Sequence, residues 1–444
     1  MGIKGLLAFI REKCPEIVQH IELSAFKGYR IAIDLAVLCY QKKSEAVSKI
    51  ASKLDLVYED IDYHYCTMFM IKRILGILEN ILYAGAIPVP VFDGVAPHLK
   101  HGTKKNRKEK SEKKENNIFH LKRILRGLLG NTTIDKRKEY NIDGTHNNNF
   151  IGFDTTVQTL SMVQQKEEMK QEPFALTEWD INFLKRFKKP AQTIDDLKKL
   201  LFNEIKQWVV VTSQDYLILG TIFSSLGIPH VYAQSEAEQT CSQMCKMKDV
   251  VAIFTVDSDC LVYGCPIMIN EISMSAGIRV RGPAQAQCYL FTNVLAALDM
   301  THPQFIDMCL MFGTDFNPNA QGYGPAKNYE LIKYFGSFNN IVKAKRELEA
   351  KPIAIKGTTK IEKLLVGYDP TVINYDEVRC FFTSPITYDK AALKIRTYEG
   401  QYEQAFIMLE KMMGATNFNQ IMDVTKKLIV LLAKAQKECK HIDD

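Results

Sequence analysis

Seven acidic residues of this chain lie where a strand-like or turn-like run passes into a helix-like run. If folding gathers them, so many carboxylates require a compensating positive charge. Carboxylate oxygens are preferred ligands of Mg²⁺, and two such ions about 3.5–4 Å apart can promote in-line attack on a phosphodiester. The acids therefore predict a two-metal hydrolytic site; they are Asp34, Asp93, Glu236, Glu238, Asp257, Asp259 and Asp315.

Two of the acid pairs support this interpretation to different degrees. Ser235 followed three residues later by Glu238 forms the pattern of a capping box, which would explain Glu236 and Glu238 without any ion. Asp257 and Asp259 instead crowd two carboxylates at the end of an apolar run, where repulsion costs stability unless a cation lies between them. The second pair therefore favours a metal site over a helix cap.

A basic run follows Asp93. Positions 100–126 hold eleven Lys or Arg residues and three Glu residues, an excess typical of a phosphate-backbone binder. On charge alone, a solvated helix face or a localisation signal at Lys104–Lys110 is favoured. Lys100 and Arg107 are seven residues apart, nearly two turns of a helix that begins after Pro97, and so share one side of it. Their position after Asp93 predicts a clamp on a scissile phosphate.

A glycine-rich turn follows Asp315. Gly322 and Gly324 precede a helix led by Pro325, which is typical of a hairpin whose backbone N–H groups bind phosphate. An ordinary helix–helix turn is the alternative interpretation.

The elements that must position the acids alternate between strands and helices. We predict strands near 30–34, 87–92 and 251–256, and helices through 62–84, from 103 and at 213–226. This alternation predicts a parallel sheet covered on both faces, with Asp34, Asp93 and Asp257 ending three of its strands. Ligands of such sheets bind beyond the carboxyl ends of the strands, so these three acids are expected to converge.

The composition is that of a soluble globular protein. The chain has 444 residues, 46% of them hydrophobic, and a net charge of +6. Its apolar runs are shorter than the roughly 20 residues that span a bilayer, and its first residues lack the features of a secretory signal. The eleven cysteines are scattered singly, which favours reduced thiols and argues against a disulfide framework or a structural zinc site. We expect a nuclear protein or one of a viral DNA replication compartment, not a secreted or membrane protein.

The chain resembles the flap endonuclease family of structure-specific 5′ nucleases, which also includes the xeroderma pigmentosum group G nuclease. The resemblance covers most of residues 1–385 in the family's order. The matching stretches are 1–6, 31–34 with Tyr40, 91–94 through Lys100 and Arg107, 227–238, 257–261, 313–315 through 322–325 and, more weakly, 378–385.

The resemblance implies roles for the site residues. All seven acids match the family's metal ligands and associated acids, and Lys100 and Arg107 match its phosphate-steering pair. Tyr40 matches the aromatic residue that stacks on a base, and Gly2 would lie near the active site. The hairpin would hold duplex DNA together with K⁺, with Gly313, Gly322, Gly324 and Lys327 as candidate DNA contacts. The implied reaction uses two Mg²⁺ ions, for which Mn²⁺ can substitute, and leaves a 5′-phosphate and a 3′-hydroxyl.

The implied fold is α/β and PIN-like, with a mostly parallel central sheet, helices on both faces, a helical arch insertion and a helix-hairpin-helix region. We expect a nuclease region with the start of a basic arch at 1–126, a divergent helical insertion at 127–208 and an internal nuclease region at 209–290. A helix-hairpin-helix region at 291–345 and a C-terminal helical extension at 346–444 would follow.

The sequence also departs from the family pattern. The 128 residues between Arg107 and Glu236 exceed a minimal arch, and Val47 and Ile77 stand where the family often has basic residues. A sliding-clamp motif of the form Q-x-x-[ILM]-x-x-[FY]-[FY] is not found near the C-terminus, and we expect a monomer.

The leading hypothesis is a Mg²⁺-dependent nuclease for flapped or branched DNA in replication and repair. One alternative is a 5′–3′ exoribonuclease that uses the same site. Another is a catalytically inert scaffold that binds DNA junctions, whose signature would be a missing carboxylate; none of the seven is missing. An assay with DNA and RNA substrates would discriminate between these hypotheses.

Overall fold

The computed structural model of the protein describes residues 2–130, 175–187, 193–273, 284–350, 359–396 and 401–438. The chain divides into two compact units. Unit 1 comprises residues 1–49, 62–111 and 209–444, and unit 2 comprises residues 50–61 and 112–208. None of the described helices is both long and apolar enough to cross a membrane.

Unit 1 contains a seven-stranded sheet in the order β1-β7-β6-β5-β2-β3-β4. The pairs β6–β5, β5–β2, β2–β3 and β3–β4 are parallel, whereas β1–β7 and β7–β6 are antiparallel. The predicted mostly parallel α/β sheet is therefore confirmed. Its strands are β1 (Val18–Glu22), β2 (Arg30–Asp34), β3 (Ile87–Phe92), β4 (Val231–Tyr232), β5 (Ala252–Phe254), β6 (Ile267–Ile272) and β7 (Gln285–Leu290).

The helices precede, connect and follow these strands, and the described residues also include five short 3₁₀ turns. They are α1 (Leu6–Lys13), α2 (Leu35–Ala51), α3 (Tyr63–Tyr83), α4 (His101–Leu128), α5 (Glu178–Leu184), α6 (Ile194–Gln207), α7 (Ser213–Leu226), α8 (Ala237–Lys246), α9 (Asp259–Val262), α10 (Phe291–Leu298), α11 (His302–Phe312), α12 (Pro325–Phe335), α13 (Phe338–Ala350), α14 (Lys360–Val366), α15 (Tyr375–Thr383), α16 (Gln401–Met413) and α17 (Ala415–Glu438).

Strands β2 and β3 are buried along their whole length, as expected for central strands of a parallel sheet. β3 contains Pro88 and Pro90, which have no N–H to donate. The amide of Ile87 donates to the carbonyl of Tyr29, at 2.9 Å. Because successive backbone nitrogens of a strand point to opposite sides, the nitrogens of residues 88 and 90 point away from β2. Because β4 pairs with Val91 and Phe92, no strand of the described residues pairs with the prolines on that side.

Two hydrophobic clusters cover the opposite faces of the sheet. Along β2, Ala32 belongs to one cluster, whereas Ile31 and Ile33 belong to the other. This alternation follows the two-residue period of a strand. Helices α1, α8 and α10–α15 pack on the Ala32 face, and helices α3, α7, α16 and α17 pack on the Ile31 face. The sheet edge that carries the acids is therefore held rigidly from both sides.

The described residues of unit 2 include the second half of α4 and the capped helices α5 and α6. Thr177 and Thr193 each form a capping box at the start of α5 and α6, respectively. In the second half of α4, Arg123 pairs with the buried carboxylate of Asp180, and Lys122 Nζ donates to Asp60 Oδ1 at 2.6 Å. Two described helices, α5 and α6, therefore lie within the segment 127–208.

Candidate active site

Four adjacent parallel strands, β5, β2, β3 and β4, have their carboxyl ends at one edge of the sheet. Asp34 is the last residue of β2, and Asp93 directly follows β3. Asp257 comes shortly after β5, and Glu236 comes shortly after β4, at the start of α8. Sequence positions separated by as many as 223 residues therefore meet at one edge.

Gly94 allows the loop after β3 to lie against the loop before α8. Its amide donates to the carbonyl of Ser235 at 2.7 Å, and the next amide, of Val95, donates to the carbonyl of Gln234 at 3.1 Å. A Cβ on Gly94 would overlap the carbonyl oxygen of Ala233. The absence of a side chain at this position thus permits the close approach that brings Asp93 to α8.

The predicted capping box at Ser235 and Glu238 is wrong. The N-cap of α8 is Glu236, which makes no capping bond with its side chain. The amide of Ala237 instead donates to Asp93 Oδ1 at 2.9 Å. The carboxylate of the residue that follows β3 thus supplies the acceptor that a local Ser would otherwise provide. A helix cap therefore does not explain the presence of Glu236 and Glu238.

Asp93, Glu236 and Glu238 form a group that could hold a metal ion. Each offers one carboxylate oxygen, and the three oxygens lie within 4.8 Å of one another. Glu238 Oε2 and, farther along the edge, Asp259 Oδ1 are buried and have no hydrogen-bond partner within the described chain. Buried carboxylate oxygens without donors are costly unless a cation satisfies them. The donor set therefore fits a hard divalent cation.

Asp34, the last residue of β2, is 1% exposed. It accepts hydrogen bonds from Thr255 Oγ1 at 2.8 Å and from the amide of Val37 at 3.3 Å. Burial, together with the charges of Asp93 and Asp257, raises the pKa of Asp34 to about 7. A cation that binds near Asp34 therefore competes with a proton.

Asp257 and Asp259 are ordered by the turn that contains them. The amide of Asp257 donates to Thr255 Oγ1, and the amide of Asp259 donates to Asp257 Oδ1, both at 3.0 Å. Burial raises the pKa of both carboxyls; for Asp259, the charges of Asp257 and Asp315 raise it further. Gly2 lies against this turn, since a Cβ there would overlap Asp257 Oδ1 and lie 2.8 Å from Ser258 Oγ.

The two candidate phosphate clamps lie among the acids. Lys100 forms an ion pair with Glu236, and its Nζ is 3.9 Å from Asp315 Oδ2. Arg107 Nη2 is 2.6 Å from the same Asp315 oxygen. Burial lowers the pKa of Lys100, but the charges of Glu236 and the neighbouring acids outweigh it and raise the pKa overall. Lys100 therefore stays cationic. A phosphate could replace Glu236 and Asp315 as the anionic partner of Lys100 and Arg107.

The remaining candidate residues lie at the margins of this cluster. Tyr40 is on α2, which begins directly after Asp34, and its side chain is 42% exposed. Gly313 caps α11, and Gly322 and Gly324 lie in the turn that leads to α12. Lys327 Nζ donates to the carbonyl of Gly322 at 2.9 Å. The surface at Gly322 and Gly324 is open, because nothing would contact a Cβ at either of these two positions.

Several residues of the site were not predicted. Thr255 orients both Asp34 and Asp257, Ser258 Oγ accepts from the amide of Ile3 at 3.0 Å, and Thr103 Oγ1 donates to the carbonyl of Asp315 at 2.5 Å. The one sequence signal available for Thr255 and Ser258 is their position beside Asp257. Thr103 carries no such signal, because its partner lies 212 residues away.

Two family models match the chain. The XPG N-terminal domain matches residues 1–114, and the XPG I-region matches residues 227–315. These two segments contain all seven acids together with Lys100 and Arg107. Their borders leave out most of unit 2.

Curated relatives match over most of the chain. Flap endonuclease 1 of Yarrowia lipolytica is 27% identical over 396 residues, which cover 89% of this chain and 80% of that protein. Flap endonuclease 1 of Danio rerio is 26% identical over 345 residues, covering 77% and 68%. Flap endonuclease 1 of Naegleria gruberi is 25% identical over 385 residues, covering 87% and 74%.

Solved structures share the fold. The catalytic core of Rad2 in complex with DNA substrate is 16% identical and covers 97% of this chain and 100% of that one, with a TM-score of 0.55 in one complex. Another complex of the same core gives a TM-score of 0.54 at 16% identity, covering 96% and 100%. At this identity the similarity establishes the fold alone.

Proposed function

Since this chain belongs to the flap endonuclease and XPG family of nucleases, we propose that it is a structure-specific 5′ nuclease that hydrolyses phosphodiester bonds in flapped or branched DNA. The observation that carries the proposal is the convergence of the acidic residues with Lys100 and Arg107 at one sheet edge. Metal-assisted hydrolysis of a phosphodiester uses both features: ligands for divalent cations and positive charge for the phosphate.

The acids are proposed to hold two Mg²⁺ ions, with Mn²⁺ as a substitute. Asp93, Glu236 and Glu238 would hold one ion, with the other four acids contributing around the second. When bound, such ions supply Lewis-acid activation and offset phosphate charge. The protein's own contribution is to keep the carboxylates oriented, as Thr255 does for Asp34 and the Ala237 amide does for Asp93.

Lys100 and Arg107 are proposed to bind the scissile phosphate. In the reaction a water oxygen forms a bond to phosphorus and the bond from phosphorus to the 3′ oxygen breaks, with protons exchanged with solvent. The products are a 5′-phosphate and a 3′-hydroxyl. Both cations are held near Asp315, so a phosphate bound between them would lie beside the acids.

Other contacts are proposed to position the DNA. Tyr40 would stack on a base near the cut, and Gly2 would lie close to the reacting strand. The glycine hairpin, with Gly313, Gly322, Gly324 and Lys327, would hold the duplex together with K⁺. We further propose that the protein acts as a monomer in a nucleus or a viral replication compartment, in DNA replication and repair.

A cleavage assay tests this function. Purified protein is incubated with Mg²⁺ and matched 5′-flap DNA, Holliday junction, nicked duplex and single-stranded RNA, and initial rates are compared. We expect branched or flapped DNA to be cleaved fastest. Asp257→Ala should lower cleavage by roughly 1000-fold or more while DNA binding is largely kept, because the change removes a metal ligand and not a DNA contact.

Asp423→Ala is the matched control, since Asp423 is an exposed acid on α17. It should cleave at the wild-type rate. Retained cleavage by Asp257→Ala would contradict the metal-site assignment. Preferential degradation of RNA would overturn the DNA substrate, and binding of branched DNA without cleavage of any substrate would point to a scaffold.

A further inference from the structure

The segment from Ile3 to Gly5 joins the acidic turn to the hairpin. The Ile3 amide donates to Ser258 Oγ at 3.0 Å, between Asp257 and Asp259. The next amide, of Lys4, donates to the carbonyl of Gly313 at 3.2 Å, two residues before Asp315. These two hydrogen bonds anchor the backbone of Lys4 between two parts of the proposed site.

Gly5 extends this bridge to the start of α12, because a Cβ on Gly5 would lie 3.2 Å from Pro325 Cγ. Leu6, which follows, is fully buried in the core. The backbone of Lys4 is thus held by contacts of the residues on both sides of it. These contacts restrict the region that the Lys4 side chain can reach.

The Lys4 side chain is exposed and points to the hairpin. Its Nζ is 3.5 Å from Asn319 Oδ1, and it would lie 3.3 Å from a Cβ on Gly313. The side-chain nitrogen Nδ2 of Asn319 donates to the carbonyls of Ala320 and Tyr323, at 3.5 and 3.2 Å. This orientation of the side-chain amide leaves its oxygen, Oδ1, to face Lys4. The ammonium is therefore held loosely, by one long bond to a neutral acceptor.

Lys4 differs in this respect from the other cations of the site. Lys100 and Arg107 contact Glu236 and Asp315, whereas Lys4 makes no ion pair with any carboxylate of the described chain. A polyanion that spans from the hairpin to the acidic cluster is repelled by the seven carboxylates of that cluster. A cation without a carboxylate partner at that boundary lowers this repulsion and stays available to a phosphate.

We propose that Lys4 is a positioning residue that binds a backbone phosphate of DNA between the hairpin and the acidic cluster. The proposal rests on the proposed nuclease function and adds a residue to its substrate contacts. Lys4 acts by fixing the register of the duplex relative to the acids, whereas Lys100 and Arg107 are proposed to bind the scissile phosphate. It takes no part in bond breaking.

The test compares Lys4→Gln, Lys4→Arg and the control Lys426→Gln, which removes one exposed charge from α17. The first readout is binding of 5′-flap DNA in EDTA, measured by fluorescence anisotropy at several salt concentrations. For Lys4→Gln, the slope of log K against log[salt] should fall in magnitude by about 0.9, the value for one lost phosphate contact. Lys4→Arg and Lys426→Gln should keep the wild-type slope.

The second readout is steady-state cleavage with Mg²⁺. Lys4→Gln should raise KM by about five- to tenfold and leave kcat within about twofold, and Lys4→Arg should restore KM. A merely structural role would instead change the melting temperature and would not change the salt slope. If wild type binds and cleaves while Lys4→Gln behaves identically, the Lys4 proposal fails alone. If wild type neither binds nor cleaves branched DNA, the proposed function has failed.

Discussion

Lys43 and Asp215 form an ion pair in the protein interior. Lys43 Nζ is 2.7 Å from Asp215 Oδ2, and both side chains are 3% exposed. Thr67 Oγ1 donates to the other carboxylate oxygen at 2.7 Å. Burial by itself raises the pKa of Asp215, but the bonds from Lys43, the Thr212 amide and Thr67 outweigh it and lower the pKa overall. The carboxylate is therefore more stable as an anion in the folded protein than in the unfolded chain.

The pair predicts a pH dependence of stability. Because the folded pKa is lowered, the contribution of Asp215 is complete above the unfolded value of about 3.9 and is lost as pH falls through the folded value. Asp215→Asn should cost about 3–5 kcal/mol at pH 7, since it leaves the buried Lys43 ammonium without its partner. Urea unfolding of wild type and variant should show this difference shrinking below about pH 4.

Asp423→Asn, on the exposed side of α17, is the control for a general charge effect and should leave stability within about 0.5 kcal/mol at every pH. If the difference in free energy of unfolding between wild type and Asp215→Asn stays constant as the pH falls to the acid transition, the assignment of a charged pair is contradicted.

At the level of elements, the two glycines of the hairpin have different backbone requirements. Gly322 has φ +79°, in the left-handed region that favours glycine. Gly324 has φ −88° and ψ −176°, an extended conformation open to any residue. Neither position would bring a Cβ into contact with the protein. Folding therefore explains glycine at 322, whereas at 324, the N-cap of α12, the backbone conformation would also accept a side chain.

The glycine pair predicts a separation of stability from DNA binding. Gly322→Ala should destabilise the protein by about 1–2 kcal/mol, the cost of a left-handed alanine. Gly324→Ala should leave the melting temperature unchanged and weaken binding of duplex DNA, because its methyl group would occupy the surface at which the hairpin is proposed to bind a phosphate. Thermal melts and fluorescence anisotropy measure the two effects. Unchanged DNA affinity in Gly324→Ala would contradict a role for the hairpin in binding.

At the scale of the whole molecule, the C-terminal helices belong to the core around the sheet. Helix α17 packs along α3, and helix α16 packs against α7. Phe418, Ile421, Leu428 and Leu432 lie in the same hydrophobic cluster as Ile31 and Ile33 of β2. The strand that ends in Asp34 is therefore supported by residues near the end of the described chain.

This packing predicts that α17 is required for stability. Leu428→Ala should destabilise the protein by about 2–5 kcal/mol, because Leu428 is fully buried and its loss leaves a cavity. Val430→Ala is the control on the same helix: Val430 is 68% exposed, and its replacement should change stability by less than about 0.5 kcal/mol. Denaturant unfolding measures both. Equal effects would show that α17 is not part of the cooperative core.

Much of the fold could be predicted because its signals are local. The apolar runs at 30–34 and 87–92 are the strands β2 and β3, and the predicted helix at 213–226 matches α7. The pattern at Ser235 and Glu238 is typical of a capping box, but the box does not form, because a cap depends on which acceptor reaches the first amides of the helix. Asp93, which follows β3, reaches the Ala237 amide. Local patterns cannot report such competition from distant residues.

The sequence by itself determined the types and order of the chemical groups: seven acids at element boundaries, two cations after Asp93 and a glycine turn after Asp315. The tertiary structure decided which groups meet, because adjacency in the sheet, and not separation in the sequence, sets distance. It places Lys100 on Glu236, 136 residues away, and Lys4 beside Asn319, 315 residues away. Burial, which also depends on the whole fold, then raises the pKa of Asp34 to about 7.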